Sequence, residues 1–371
     1  GWRVEGFRAM LPGRTKLEAG GLLGTGDGFG FKGNLIVAST QPSGLANWLG
    51  AGIATPALRL LSGAGFSANV DLAPGMQRFD ALELAVGSSM LKGSASRRTD
   101  GERPLVELAL KGDTLDLGMF AAFGGMFVNG SADLPDLGHD LALTLDAGPV
   151  TASGLEADAF GLTARVKEDR ADIDRLMVTN LAGASLSATG SLTDLSLTPS
   201  GTVDVSIVSA DGAELISTLA AQFSGPDWLS LAADRIGATP DLLSDAQLSF
   251  IASTAPEDKD RSWTLSGNAK AASGSASFTG NWKSGEDLGD ADGGWQVTAT
   301  QREPLNFLSL AGVDLVPLGA PGPATVELKA NGNPAVSLEL EFAYSAEGTS
   351  ATFAGTRSNG ADGPLLAGKV S

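Results

Sequence analysis

ASLSATGSLT, residues 184–193, alternates small or apolar side chains with hydroxyls, reaches a glycine at Gly190 and passes into a polar turn. Alternation of this kind puts successive side chains on opposite faces of a strand, one to be covered and one to be wetted. Four other stretches repeat the pattern. They are TKLEAGGLLG at 15–24, SSMLKGSASR at 88–97, SASFTGNWKS at 275–284 and TSATFAGTRS at 349–358, with Gly20, Gly93, Gly280 and Gly355 in the place of Gly190. The first four copies are each followed, about 29–30 residues on, by a short apolar helix-like segment. Those segments are LANWLG, MFAAFG, LISTLA and FLSLAG, centred on Leu49, Phe123, Leu219 and Leu310. The copies themselves are spaced by roughly 73 to 97 residues. A fixed internal offset with a variable join is what duplicated supersecondary modules leave behind.

The repeat predicts a mostly β protein: an elongated array of curved antiparallel sheet, forming an open groove or a taco-like sheet, with short capping helices. It is read as one continuous region, 1–371, in approximate units 1–50, 51–125, 126–221, 222–313 and 314–371, the last lacking its helix. Stacked modules make a long surface more readily than a single catalytic pocket. Helices are predicted near 45–50, 115–124, 211–221 and 304–311. Start signals precede them at Pro42-Ser43, Asp113-Thr114 with Asp116, Ser209 with Asp211, and Glu303-Pro304. Turns are marked by Asp100-Gly101, Asn129-Gly130, Asp211-Gly212 and Asn331-Gly332.

Composition narrows the function. The 371 residues carry 43% hydrophobic and 6% aromatic side chains and 50 glycines, which suits close-spaced strands with many turns. The net charge is −18, and the acids are scattered singly at turns. No basic stripe is visible for phosphate, so nucleic acid is not an expected partner. The acidity reads as the solubility of one sheet face. There is no cysteine and one histidine, which excludes disulfides, thiolate metal sites and a cysteine nucleophile. No apolar run approaches the ~20 residues of a bilayer helix. The chain begins at Gly1 and ends 16 residues after Gly355, so both ends are expected to be cuts in a longer protein.

Chemical motifs dissolve when weighed against their surroundings. Ser89-Met90-Leu91-Lys92 spells the Ser-x-x-Lys of penicillin-interacting enzymes, but there the motif opens a helix. Here it lies in a predicted strand, and the other copies lack both residues. Gly24-Thr25-Gly26-Asp27-Gly28-Phe29-Gly30 lacks the helix that a dinucleotide loop needs and reads as a wide hairpin turn. His139 reads as a surface residue in a polar turn. The acids at Glu257-Asp258 and Asp287 to Asp292 lie in polar loops, where nothing would raise a carboxylate pKa. The polar stretches Pro256–Arg261 and Ser284–Gly294 read as hairpin loops. No enzyme, cofactor or metal is expected.

Apolar residues alternating with polar ones instead nominate a dry face. Val106, Leu108 and Leu110 alternate with Glu107 and Lys111; Val203, Val205 and Ile207 with Asp204 and Ser206; Leu338, Leu340 and Phe342 with Glu339 and Glu341. These nine are the candidate contact residues, expected on a shared inner surface.

The order of weak elements in 155–220, GLEADAFGLTARVKEDRADIDRLMVTNLAGASLSATGSLTDLSLTPSGTVDVSIVSADGAELISTLA, resembles the AsmA family of Gram-negative envelope proteins. Its units of short strands end in a G-x-S-hydrophobic-x-G-S pattern after "ID-x-L" or "FD-x-L" strands, as at Ile173-Asp174-Arg175-Leu176 and Phe79-Asp80-Ala81-Leu82. The resemblance implies a long periplasmic β structure, held to the inner membrane by an N-terminal helix absent here. It also implies a role in outer-membrane biogenesis by carrying or bridging phospholipids, whose acyl chains would meet the dry face. It transfers no catalytic residue. Two other readings stand beside it. One is a structural or partner-binding β-repeat whose dry face is filled by its own side chains. The other is an enzyme on a β-helix scaffold, which would stack carboxylates at equivalent repeat positions; none are found.

Overall fold

The computed structural model describes residues 1–26, 28–48, 61–124, 139–195, 199–222, 233–237, 240–257, 260–284, 292–302, 323–333, 336–360 and 363–371. The chain is mostly β and divides into two compact units, Gly1–Asn180 and Leu181–Ser371.

The first unit opens with β1 (Trp2–Leu11), β2 (Thr15–Gly24), β3 (Gly30–Ser39), β4 (Ala64–Ala73), β5 (Met76–Val86), β6 (Ser89–Arg98) and β7 (Leu105–Asp116). Each pairs antiparallel with the next. Helix α1 (Pro42–Trp48) follows β3, and helix α2 (Leu117–Gly124) follows β7. Beyond α2 come β8 (Asp140–Ala147), the short hairpin β9 (Val150–Ala152) and β10 (Leu155–Ala157), then β11 (Ala159–Lys167) and β12 (Arg170–Leu181). β8 runs parallel to β7, with Leu108 opposite Leu143. This departs from the purely antiparallel expectation. The chain leaves β7 through α2 and returns to the edge where β7 began, and such a crossover is what a parallel pair requires. β8 then pairs with β11, and β11 with β12, antiparallel.

The second unit is a plain meander. It runs β13 (Ala184–Thr193), β14 (Ser200–Asp211), β15 (Ser244–Glu257), β16 (Asp260–Ala271), β17 (Gly274–Ser284), β18 (Gly293–Gln301), β19 (Ala324–Asn333), β20 (Ser337–Ala346), β21 (Thr349–Gly360) and β22 (Gly363–Val370). Every consecutive pair is antiparallel, without a shift of register. Helix α3 (Gly212–Gln222) and a 3-10 turn, Pro240–Leu243, lie between β14 and β15. Within each unit the sheet is open: among the described residues β1 pairs only with β2, and β22 only with β21.

The helices form where their start signals stand. Asp116 Oδ1 accepts the Met119 amide at 2.9 Å, and Asp211 Oδ1 accepts the Ala213 amide at 2.9 Å, so each caps the first turn of its helix. The helix expected near 304–311 and its Glu303-Pro304 start lie outside the described residues. Glu257 pairs with Asp260 across β15 and β16, so the two strands run into the polar stretch read as a hairpin loop, whose residues 258 and 259 lie outside the described residues.

The core of the first unit is a contiguous cluster. Val86, Leu91, Leu115 and Leu145 are buried to 2% exposure or less, and Leu117, Met119, Phe120 and Phe123 of α2 pack against it. In the second unit the buried cluster is small: Ala324, Val326 and Tyr344, with Phe342, Ala346 and Ala351 against it.

Candidate functional site

Residues directly opposite on neighbouring strands share a face, so an unshifted register converts strand alternation into rows. Val205 stands opposite Ala188 and Phe250, and its row continues through Gly267, Phe278, Val297, Leu328, Phe342 and Phe353 to Val370. The row of Val203 contains Leu265, Trp295 and Leu340. The row of Ile207 contains Leu248, Ala269, Ala276, Ala299, Val326 and Tyr344. Leu338 lies in a fourth row with Trp263, Trp282 and Leu366, joined there by Arg357. The six candidates of this unit therefore occupy one apolar face that crosses all ten strands, and all six are half-buried.

The interleaved rows are polar. Asp204 shares its row with Thr189, Ser266, Thr279, Gln296, Lys329 and Glu341, and Ser206 with Ser187, Ser249, Asn268, Ser277, Thr298 and Glu327. Ile251 breaks the first of these rows at 44% exposure. One face is thus hydrocarbon and the other hydroxyl, amide and charge.

Val106, Leu108 and Leu110 share the corresponding face of the first unit but sit differently. Leu110 lies between Gly93 and Leu145 and is 3% exposed; Leu108 lies between Ala95 and Leu143 and packs against the same cluster. Val106 is half-buried. At Leu110 the dry face is a closed core.

The repeat glycines explain themselves in the rows. Gly190, Gly280 and Gly355 all belong to the row of Val203 and Leu340. A Cβ at Gly280 would lie 2.5 Å from the Trp295 ring, and one at Gly190 2.9 Å from the Val203 Cα. At Gly190 the neighbouring backbone, and at Gly280 the Trp295 ring, leaves no room for a side chain on this face. Gly93 plays the same part between Leu82 and Leu110. The first copy is displaced by one residue: Gly20 faces Asn34 on the polar side, and Gly21, opposite Gly33, takes the inner place.

Size grades along the strands of the second unit. At one end Trp263 and Trp282 stack at 6.1 Å, and Trp282 and Trp295 at 5.0 Å. At the other, beneath α3, the face is built from Ala246, Ala269, Ala271, Gly274, Ala276 and Ala299, and a cavity of about 440 Å³ opens between them and Leu215, Ile216 and Leu219 of the helix. Two of the hydroxyls in its wall are committed elsewhere: Ser209 donates to the Gly183 carbonyl and Ser273 to that of Leu242. Gln301 also lines it, with its Oε1 sealed from solvent and without a hydrogen-bond partner. Sequence reading missed this cavity, because alanines and glycines at strand ends carry no periodic signal.

The motifs that resembled chemistry have structural work. Ser89 is buried and its Oγ accepts the Asp116 amide at 2.8 Å, tying β6 to the start of α2. Lys92, three residues on in a strand, points to the other face and pairs with Glu83 at 3.0 Å, which raises its pKa through that hydrogen bond and the neighbouring charge. The two side chains do not meet. Gly24 pairs with Gly30 where β2 meets β3, so the stretch lies between two antiparallel strands, with Asp27 outside the described residues. His139 is half-buried just before β8. Asp258, Asp287 and Asp290 lie outside the described residues. Among the described residues no group of three or more His, Asp, Glu or Cys side chains is placed to hold a metal, and no helix is long and apolar enough to cross a membrane.

No protein-family model, curated protein or solved structure matches this chain.

Proposed function

We propose that the chain is a non-enzymatic, AsmA-like envelope protein of the periplasm that carries or bridges phospholipids during outer-membrane biogenesis. Its attachment to the inner membrane would lie in a segment outside this sequence. The observation that carries the reading is the apolar face of the second unit. The row of Val205 crosses all ten strands, the six candidate side chains are half-buried, and α3 and the 3-10 turn lie at one end of the strands, with a further helical turn at 233–237 among the described residues of that unit. Hydrocarbon laid on such a face gains about 25 cal/mol for each Å² removed from water, with no directional chemistry required. The width suits it. From Ile207 to Gly201 the strand rises about 20 Å at roughly 3.3 Å per residue, against ~15 Å for one leaflet of a ~30 Å hydrocarbon core.

The second reading, a structural or partner-binding β-repeat with a closed core, is favoured by the first unit, where Leu110 and its neighbours are packed beneath α2. The two readings separate in one experiment on the second unit. Native mass spectrometry of the purified chain is expected to show retained phospholipid, confirmed by solvent extraction. Val205→Asp and Leu340→Asp are expected to lower bound lipid roughly tenfold or more, since an unpaired charge beside hydrocarbon is costly, while the melting transition persists. A lipid-free parent chain whose aspartate variants lose the melting transition overturns the proposal in favour of the closed core.

A further inference from the structure

We propose that β22 is a self-association edge: two copies of the chain pair through it, antiparallel, about a twofold axis at Gly368. The inference stands apart from the lipid-carrying reading and rests on the backbone of the strand itself.

The last rung of the ladder fixes the direction of each backbone group. Thr352 N donates to the Ser371 carbonyl at 2.8 Å and Ser371 N to that of Thr352 at 3.0 Å, so this pair is of the hydrogen-bonded kind. Bonded and unbonded pairs alternate along an antiparallel ladder, and the register runs unshifted from Val370 opposite Phe353 to Leu365 opposite Ser358. Lys369, Ala367 and Leu365 therefore direct their N–H and C=O to β21, while Val370, Gly368 and Leu366 turn theirs outward. Among the described residues β22 pairs with no other strand. Leu365, Leu366 and Val370 are 61%, 59% and 78% exposed. A row of unpaired amides and carbonyls is a template for another strand, and sheets blunt it with bulges and charges. The edge strand of the first unit is blunted in this way: β1 shifts register between Val4 and Phe7 and exposes Arg3, Glu5 and Arg8. β22 has no shift, and its one charge, Lys369, is not among the outward residues.

The strand fits itself. With Gly368 opposite its twin, Leu366 meets Val370 of the second copy and Val370 meets Leu366, and each of these pairs can exchange both hydrogen bonds. No side chain stands at the axis, where a residue must meet itself, and the Phe353 ring already excludes one, 2.5 Å from where a Cβ of Gly368 would lie. Leu366 and Val370 belong to the rows of Leu338 and Val205. The row of Val205 in one copy therefore runs into the row of Leu338 in the other, and the apolar face continues across the join. On the polar face Lys369 stands opposite Ala367 of the second copy, so no like charges are directly opposed. An axis moved toward Leu366 would bring Pro364, which has no N–H, into a bonded pair. Pairing with β1 of another copy would meet a shifted register and repeat without closing, whereas the twofold pair closes at a dimer. The contact is one ladder, below the ~1,200 Å² of standard interfaces, so the dimer is weak and depends on concentration.

The test uses the full chain, which has no cysteine of its own. Sedimentation over roughly 10 μM to 1 mM is expected to show monomer and dimer alone. Ala367→Cys and Lys369→Cys, both at exposed positions, are then mixed and mildly oxidised. The pairing sets these two opposite each other at ~4.5 Å between Cα atoms, within disulfide reach. Each is about 7–8 Å from its own twin, so the mixed disulfide dimer is expected to exceed either homodimer roughly tenfold. Leu366→Pro removes an outward N–H and no bond to β21, and is expected to raise the dimer dissociation constant roughly tenfold with the melting curve unchanged. Should that variant disturb β22, the charges at position 367 decide: Ala367→Lys, opposed to Lys369, weakens the dimer and Ala367→Glu tightens it. A monomer at every concentration, open-ended oligomers, disulfides in random proportion, or equal effects of Ala367→Lys and Ala367→Glu overturn the proposal. Each of these outcomes leaves the lipid-carrying reading where it stood.

Discussion

The two units bear the same alternation and end in different states. In the first, the apolar face between β4 and β8 is roofed by α2, and Leu91 and Leu115 are almost wholly withdrawn from water. In the second, Val203, Val205, Ile207, Leu338, Leu340 and Phe342 stay half-buried beside a small buried cluster at Val326 and Tyr344, and Leu366 and Val370 at the far edge are 59% and 78% exposed. Strand pattern is therefore not what decides between core and groove. The difference lies in the helices that succeed β7 and β14. The eight residues of α2 include Leu117, Met119, Phe120 and Phe123, large side chains that fill the space beneath. α3 presents Leu215, Ile216 and Leu219 to a floor of alanine and glycine, and the space stays open.

That contrast breaks most readily at the cores. Leu91→Ala, at 0% exposure, is expected to lower unfolding free energy by about 2–5 kcal/mol. Val205→Ala, on the half-buried face, is expected to cost about 1 kcal/mol or less. Denaturant titration of both variants reads this directly, and equal losses would mean that the second face is as packed as the first. A smaller effect tests the repeat glycines. Gly280→Val should cost about 1–3 kcal/mol as its side chain drives into the Trp295 ring. Gly6→Val on β1, where nothing stands within 4 Å, should stay within about 0.5 kcal/mol. If the two cost the same, the Trp295 ring over Gly280 is not what selects glycine there.

The smallest effect lies on the polar faces. Glu18 is held below the usual carboxylate range by its hydrogen bond from Lys16, with Arg8 adding its charge, and Asp172 by its hydrogen bond from Arg170. Both belong to the first unit. A carboxylate whose folded pKa is lowered contributes stability above its ordinary pKa, and that contribution is lost as pH falls through the folded value. Asp172→Asn should therefore lower the melting temperature slightly at neutral pH, and the gap to the parent should close as the pH falls through the lowered value, beneath the ordinary carboxylate range. Solvent access to both groups and screening by salt keep the effect small. A gap that persists in acid would mean that Asp172 acts through packing instead of charge.

Much of this was readable in advance, and the misses have physical causes. Alternation at Val203 to Ile207 and at Leu338 to Phe342 specified a face on each strand, but the long joins between β14 and β15 and between β18 and β19 left the register that brings the two sets into common rows to the structure. Asp116 and Asp211 announced their helices because a capping carboxylate acts on the next three residues alone. The parallel β7–β8 pair was hidden, since it depends on the path from Leu117 to His139 and not on either strand. So were the register shifts beside Ala68 and Ala81, the latter at φ 47°. Gly20 misled because an adjacent glycine, Gly21, satisfies the same pattern, and only the partner strand shows which of the two faces inward. The cavity under α3 is a property of what is missing from several strand ends at once, which no single stretch displays.

The interruptions at α1, α2 and α3, and the join between β18 and β19, also set a timetable for folding. Within a run of hairpins, partners such as Val86 and Ser89 or Ala271 and Gly274 are close in the chain and meet in microseconds. At the seams Ser39 must find Ala64, Ser209 must find Ala246 and Gln301 must find Ala324. Closure entropy rises only slowly with such loops, but it is spent before any contact repays it. The runs β1–β3, β4–β7, β15–β18 and β19–β22 are thus natural early units of assembly, zipped first and joined afterwards. Cutting the chain between them removes whole pieces, while cutting within one leaves a strand without its partner.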